Sequence, residues 1–298
     1  MQKELSVIYV NYNTADQVKA SVDSLRRNTK SVDYEIIVAD NNSQNDTSMN
    51  LLLSDEGIRV VRLDDNYGFG KANNAGFRES CGEYVLFLNP DTICDDNSIK
   101  VLLDKIKLDE SIGVLGPNLI NADDAPTHAF RRTGDGIMTE LNFALFGLPY
   151  KLLYGNNFEH NHTRNQLDVA YVCGAAMLMK RETFEKVDGF DENFFMYYED
   201  QDLCNRIKQL GLRIVNEPSA VIKHLEGTSI AVSERRQNLI IQSRKKYFLK
   251  TMPLWHYKVA NVVTGFLLFV GEKTFRICGK KEKADAYLCR RKLIEKYE

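Results

Sequence analysis

Tyr84-Val85-Leu86-Phe87-Leu88-Asn89-Pro90-Asp91-Thr92 changes character halfway along. Tyr84–Leu88 is an unbroken apolar run that reads as a buried strand. Asn-Pro-Asp then ends it and leaves a carboxylate just beyond the strand. On the N-terminal side, Lys71–Ser80 has helical spacing, Arg59–Leu63 and Glu35–Ala39 read as strands, Asp16–Arg27 as a helix, and Leu5–Val10 as the first strand. On the C-terminal side, Asp96–Lys107 reads as a helix with Ile99, Leu102, Leu103 and Ile106 on one face. Asp95 and Asp96 sit where its N-cap is expected. Short β-rich runs alternating with helices predict an α/β fold built on a doubly wound, mostly parallel sheet.

In such sheets ligands gather at the carboxyl ends of the strands. The loops there are Asn11–Thr14, Asp40–Ser43, Asp64–Gly70 and Asn89–Thr92, all rich in Asn, Asp or Gly. Turn chemistry explains any one of them. Four at one sheet edge point to a site.

The remaining chain is less uniform. Asn121–Asn165 lacks clear periodicity and reads as a loop over the site or a small helical insertion around Ile137–Phe146. Val169–Lys180 returns to a strand pattern, Glu199–Gly211 is helical, and Ala220–Lys223 is a last strand. A helical tail begins at Glu234, which predicts a first domain over 1–233 and a basic amphipathic tail over 234–298. The tail's apolar run Val259–Gly271 has 13 residues, short of the roughly 18–20 that span a bilayer. Aromatic, apolar and basic residues together suit a helix lying in a membrane interface, or one packed on its own domain.

Charge divides the same way. Met1–Leu249 carries a balance of −8 and Lys250–Glu298 one of +6, for a net charge of −2 in 298 residues. That near-neutral total argues against nucleic acid as a partner. The six cysteines are scattered without a CxxC pair, as in a reducing, cytoplasmic setting. Met1–Glu4 runs straight into the first strand, which predicts no signal peptide.

Chemistry-bearing residues follow from position. Asp91, at a strand end, suits Mg²⁺ or Mn²⁺ shared with substrate phosphates. Asp40 ends the second strand and can accept a hydrogen bond from a ribose hydroxyl or a base N–H. Asn66–Gly76 is Gly-rich and opens a helix, an anion-binding arrangement. It departs from the dinucleotide fingerprint because Asn73 stands where a third glycine is expected, which disfavours a nicotinamide-dependent oxidoreductase. In the helix after Tyr198, Leu203, Ile207 and Leu210 form an apolar stripe. Glu199 and Asp200 straddle it and Gln201 lies opposite, at about 100° per residue. The two carboxylates either complement the helix dipole or supply a general base. His224 follows the last strand in a polar loop, a candidate metal ligand or diphosphate contact.

Taken together these segments resemble the inverting family 2 glycosyltransferases of the GT-A fold. The nearest likeness is to enzymes that add rhamnose and related sugars to bacterial surface polysaccharides. The resemblance runs from Leu5 to Ser229. It rests on VNYNT (10–14), VADNNSQND (38–46), NYGFGKANNAG (66–76), YVLFLNPDT (84–92), the long segment 173–207 and HLEGTS (224–229). It implies that Asn11 and Asn13 line a nucleotide pocket and that Asp40 reads the base. Asn66, Gly68 and Asn74 would shape the wall near the ribose and diphosphate. Asp91 would hold the metal, with His224 near it or the diphosphate. Asp200 would be the catalytic base, with Glu199 beside it. Asn89 takes the first position of the usual Asp-x-Asp motif, leaving Asp91 as its one carboxylate. The implied partners are a nucleotide-diphosphate sugar donor and a glycan or lipid-linked glycan acceptor at the inner face of the cell membrane. A non-catalytic nucleotide-sugar-binding protein of the same fold is the competing reading.

Overall fold

The computed structural model describes residues 3–44, 47–145, 147–225 and 234–297. Residues 226–229 of the HLEGTS segment, positions 45–46 of the VADNNSQND segment, Phe146, and the end of the predicted first domain at 233 lie outside the described residues. The chain divides into two compact units. The first comprises Met1–Arg132, Asn156–Phe195 and Glu199–Thr228; the second comprises Thr133–Gly155, Met196–Tyr198 and Ser229–Glu298.

The first unit opens with β1 (Leu5–Asn11), α1 (Ala15–Asn28), β2 (Tyr34–Asp40), α2 (Met49–Leu53), β3 (Ile58–Arg62), α3 (Phe69–Arg78) and β4 (Tyr84–Leu88). Every residue of β1 and β4 is buried, as expected of central strands covered by helices on both faces. In α1, Val18, Val22 and Leu25 recur at helical spacing and are fully enclosed. Next come β5 (Thr92–Cys94), α4 (Ser98–Leu108), β6 (Ile112–Ile120) and β7 (Phe130–Arg131). After the segment assigned to the second unit follow β8 (Leu167–Asp168), β9 (Tyr171–Val172), β10 (Ala176–Lys180), α7 (Arg181–Lys186), α8 (Glu199–Gln209) and β11 (Arg213–His224).

The main sheet runs β3-β2-β1-β4-β10-β6-β11-β5, with β8 paired to β11. The pairs among β1, β2, β3 and β4 are parallel, as is β6 with β11. Strand β10 is antiparallel to both neighbours and joins the two halves. The predicted mostly parallel α/β sheet is therefore present, with antiparallel strands that the sequence pattern did not distinguish.

Several local expectations are corrected. The strand pattern over 169–180 is two pieces, β9 and β10, because the backbone turns between them. The last strand begins at Arg213, and its register shifts between Glu217 and Val221. Pro218 lies in that gap and has no N–H to give the ladder. The N-cap position of α4 is taken by Asn97, in a left-handed conformation and without a side-chain cap bond, and not by Asp95 or Asp96. Gln201 is buried, because the first turn of α8 is enclosed on more than the stripe side.

The second unit contains α5 (Ile137–Ala144), α6 (Leu148–Tyr154), α9 (Glu234–Thr251), α10 (Leu254–Ile277) and α11 (Lys281–Lys296). Its interior is partly polar. Arg244 donates to Glu140 at 2.8 Å and to Asn261 at 2.6 Å, and the Thr264 hydroxyl donates to the other Glu140 oxygen. Among the described residues no helix is long and apolar enough to cross a membrane. The six cysteines are free thiols.

Candidate active site

Parallel pairing of β1 with β2 sets Asn11 opposite Asp40. Both side chains therefore emerge at the same level of the sheet edge. The Asn11 amide donates to Asp40 Oδ1 at 3.0 Å and to Ser43 Oγ at 3.1 Å, and the Ser43 hydroxyl donates to Asp40 Oδ1 at 2.6 Å. Asn11 Oδ1 accepts from the amide and hydroxyl of Thr14. The Asn13 backbone N–H donates to Ser43 Oγ, and its side chain accepts from Gln44 N–H. Asp40 is thus a buried, orientationally fixed acceptor, suited to one N–H or hydroxyl of a ligand. Ser43, which holds Asn11, Asn13 and Asp40 together, was not singled out by sequence reasoning.

The neighbouring wall is built from the loop before α3. Asn41 donates to Asn66 Oδ1 and to the Gly68 carbonyl, and accepts from Tyr67 N–H. Gly68 has φ +82°, and a Cβ there would stand 2.0 Å from the Phe195 carbonyl oxygen. The next amide, Phe69 N–H, donates to that oxygen at 2.8 Å. The first amide of α3 therefore holds the 190–195 loop instead of facing an anion. Asn74 is buried one turn further on. Its amide donates to the Phe190 carbonyl, and its oxygen accepts from Phe190 N–H. Phe190 packs edge-on against Phe87 at 5.0 Å and Phe184 at 5.5 Å. Asn74 and this aromatic cluster fix the approach to α8.

The bend between β9 and β10 joins two predicted residues. Asn89 N–H donates to the Ala175 carbonyl at 2.9 Å, while the adjacent Gly174 N–H donates to Asp200 Oδ2 at 3.0 Å. Asp200 Oδ1 accepts from the amide of Gln201. The start of α8 is thereby tied to the end of β4, where the 89–91 turn begins. On the far side of that turn, β5 pairs with the end of β11, His224 opposite Thr92. Leu225 N–H donates to the Asp91 carbonyl, and His224 Nε2 lies 3.3 Å from Asp91 Oδ1.

Glu199 differs from its neighbour. It is buried, its Oε2 has no hydrogen-bond partner among the described residues, and its Cβ lies against Gly70. Burial, followed by the adjacent Asp200 charge, pushes its carboxyl up to about 8. At neutral pH Glu199 is a protonated acid beside Asp200. Another basic group stands nearby. Burial, then the charges of Arg131 and His224, hold His128 down at about 3, so it stays neutral. His128 and Arg131 fall in the irregular 121–165 stretch, where sequence pattern offers no signal.

The residues present fit a hard divalent cation. Asn89 Oδ1 is buried without a hydrogen-bond partner among the described residues. It shares the turn with the Asp91 carboxylate and, through it, the His224 imidazole. Oxygen donors with one imidazole suit Mg²⁺ or Mn²⁺. Among the described residues no three His, Cys, Asp or Glu side chains form a complete cage. Such a set suits an ion whose other ligands are water and substrate phosphate.

Comparison with known proteins bears on this geometry. A model described as glycosyl transferase family 2 matches residues 6–188, and one described as N-terminal domain of galactosyltransferase matches 157–227. The chain is 28% identical over 240 residues to an N-acetylglucosaminyl-diphospho-decaprenol L-rhamnosyltransferase of Mycobacterium tuberculosis, covering 75% of this chain and 76% of that one. It is 28% identical over 229 residues to rhamnosyltransferase WbbL of Escherichia coli, covering 72% and 80%. Two solved structures share the fold. The mannosyltransferase PcManGT from Pyrobaculum calidifontis, in complex with GDP-Man and Mn²⁺, has a TM-score of 0.59 at 16% identity, covering 97% of this chain and 74% of that one. GalNAc-T7 with UDP, GalNAc and Mn²⁺ has a TM-score of 0.61 at 17% identity over 82% of this chain. The chain spans about half of that structure, 48%. The sheet order, the polar strand ends and a family match over more than half of the sequence agree, and the chain belongs to glycosyl transferase family 2, a glycosyltransferase of the GT-A fold.

Proposed function

We propose that the chain moves rhamnose or another hexose from a nucleotide-diphosphate donor to a hydroxyl of a glycan or lipid-linked glycan. The reaction inverts the anomeric centre, depends on Mg²⁺ or Mn²⁺, and serves cell-surface polysaccharide synthesis. The observation that carries this reading is the tie from Asp200 through Gly174 and Ala175 to Asn89. It places a fixed carboxylate next to the turn that presents Asp91.

Asp40, Asn11 and Asn13 hold the nucleoside, and the wall of Asn66 and Gly68 flanks the ribose and diphosphate. Asp91 and His224 would hold the cation, with Asn89 contributing its amide oxygen. A cation held there would supply Lewis-acid neutralisation of the charge on the departing diphosphate. Asp200 takes the proton from the acceptor hydroxyl as that oxygen attacks the anomeric carbon opposite the diphosphate. Glu199, protonated at neutral pH, is not available as that base. Alignment of the two substrates supplies much of the acceleration. The name of the Mycobacterium tuberculosis relative supports a lipid-linked acceptor, and the basic tail supports a place of action at the inner membrane face.

The test is a panel of nucleotide sugars incubated with the purified chain and Mg²⁺ or Mn²⁺, read as donor hydrolysis and transfer. Turnover that stops with a chelator and returns with the ion is the expected result. Nucleotide-diphosphate binding with no turnover across the panel would instead identify a non-catalytic binding protein.

A further inference from the structure

Helix α10 has its polarity turned inside out. Its buried positions are Tyr257, Ala260, Asn261, Thr264, Leu268 and Glu272, of which three are polar or charged. Asn261 and Thr264 join Arg244 and Glu140, and Glu272 accepts from Arg276 and Arg291. Its outward positions are Trp255, Val259, Val262, Phe266, Val270 and Ile277, all exposed. At about 100° per residue these fall within an arc of about 80° on the opposite side. Trp255, Phe266 and Val262 are 61%, 64% and 68% exposed. A water-facing helix surface normally carries charge. From Trp255 to Val270 this one is an apolar stripe about 23 Å long at 1.5 Å per residue, and Lys273 interrupts it before Ile277.

The stripe is not isolated in composition. Of the 21 large apolar side chains exposed among the described residues, 15 lie in the second unit, which holds about a third of the chain. They include Leu148, Leu152 and Leu153 of α6. Apolar exposure on that scale marks an interaction surface.

Charge selects the occupant. Glu272 is the one acidic residue in α10, and it is buried and paired, whereas Lys258, Lys273 and Arg276 are exposed. Lys280, Lys281 and Lys283 follow directly and are also exposed. A stripe of aliphatic and aromatic side chains edged with cations, too short in hydropathy to cross a bilayer, matches an interfacial helix on an anionic leaflet. We propose that the outward face of α10, joined by α6 from the middle of the chain, docks on an anionic lipid surface with Trp255 at headgroup level. The proposal deepens the membrane part of the function above and rests on that reading. It assigns the irregular 121–165 stretch a share in docking. It also makes the inner face of α10 a structural seam and the outer face the lipid contact.

Trp255 is the chain's one tryptophan, so its fluorescence reports this face directly. The full chain is mixed with vesicles of phosphatidylglycerol and phosphatidylcholine, and separately with phosphatidylcholine alone. Co-flotation and a blue-shifted Trp255 emission quenched by brominated lipid are expected with the anionic vesicles. Val262→Glu with Phe266→Glu should weaken flotation at least about tenfold, and Leu152→Glu should weaken it less. Val262→Ser with Phe266→Ser serves as the milder pair, with circular dichroism showing that each variant folds. Metal-dependent donor hydrolysis is measured on the same samples and should be unchanged. Hydrolysis without vesicle binding would overturn the docking surface and leave the glycosyltransferase reading standing. Binding without hydrolysis would do the reverse. Emission that shifts with protein concentration in the absence of lipid, together with a dimer in sedimentation equilibrium, would overturn the proposal in favour of a second copy on this face.

Discussion

Asp91 and His224 face each other at 3.3 Å, although 132 positions separate them in sequence, because the short strand β5 folds back against the end of β11. The contact is locked by the Leu225 N–H bond to the Asp91 carbonyl. Asp91→Ala should lower metal-dependent transfer at least about a hundredfold by removing stabilisation of developing charge. His224→Ala should raise the Mn²⁺ concentration needed for half-maximal rate. Rates measured against metal concentration decide both. Undiminished turnover by Asp91→Ala would remove the assigned cation site.

Asp200 is oriented by the Gly174 and Gln201 amides. Replacement by Asn keeps the shape and removes the base, so kcat should fall by about 10²–10⁴ with little change in donor KM. Steady-state kinetics with a transferable acceptor provide the check. A fall in donor affinity alone would contradict the assignment.

Glu199 makes stability depend on pH with a definite sign. Its folded carboxyl titrates near 8, above the ordinary 4.5, so between these values the fold binds more protons than the unfolded chain. Stability due to this group therefore declines as pH rises through that window. Glu199→Gln cannot ionise. It should be more stable than wild type at pH 9, by on the order of a few kcal/mol, and equal to it near pH 4. Thermal unfolding of both proteins across this range tests the sign.

Much of this architecture is legible in the chain itself, for physical reasons. Strands β1, β2 and β4 are short apolar runs ended by Asn or Asp, so their existence and their polar ends are written locally. The places of Asp91, His224, Glu199 and Asp200 at or beside element ends are equally local. Pairing is not local. Nothing in Ala176–Lys180 says that it runs antiparallel between β4 and β6. Nor does Gly174 declare that its amide holds Asp200. Ser43 carries no local signal because its bonds to Asn11 and Asn13 cross from one strand end to another. The α10 run signalled apolarity, but not that its polar side faces inward.

Gly68→Ala places a methyl group 2.0 Å from the Phe195 carbonyl oxygen in a backbone conformation that disfavours any side chain. The loop must shift, at a cost of about 3 kcal/mol. Denaturant unfolding should show that loss, and proteolysis should cut near 190–195 sooner than in wild type.

Glu140 is the partner of Arg244 in the interior of the second unit, with side chains 15% and 6% exposed. Glu140→Ala leaves a buried cation without its carboxylate and should destabilise that unit by about 3–5 kcal/mol. Thermal melting and protease resistance of residues 234–297 provide the readout.

Strand β10 has a consequence for biosynthesis. The ribosome releases β4 and β6 well before Ala176–Lys180, yet β10 must enter between them. Until it arrives, both strands are unpaired edges, open to association with other nascent chains. The sheet cannot grow strand by strand from the N-terminus. It closes late, when β10 and then β11 arrive on either side of β6, and polypeptides truncated before Ala176 should be captured by chaperones or aggregate where chains that include His224 do not.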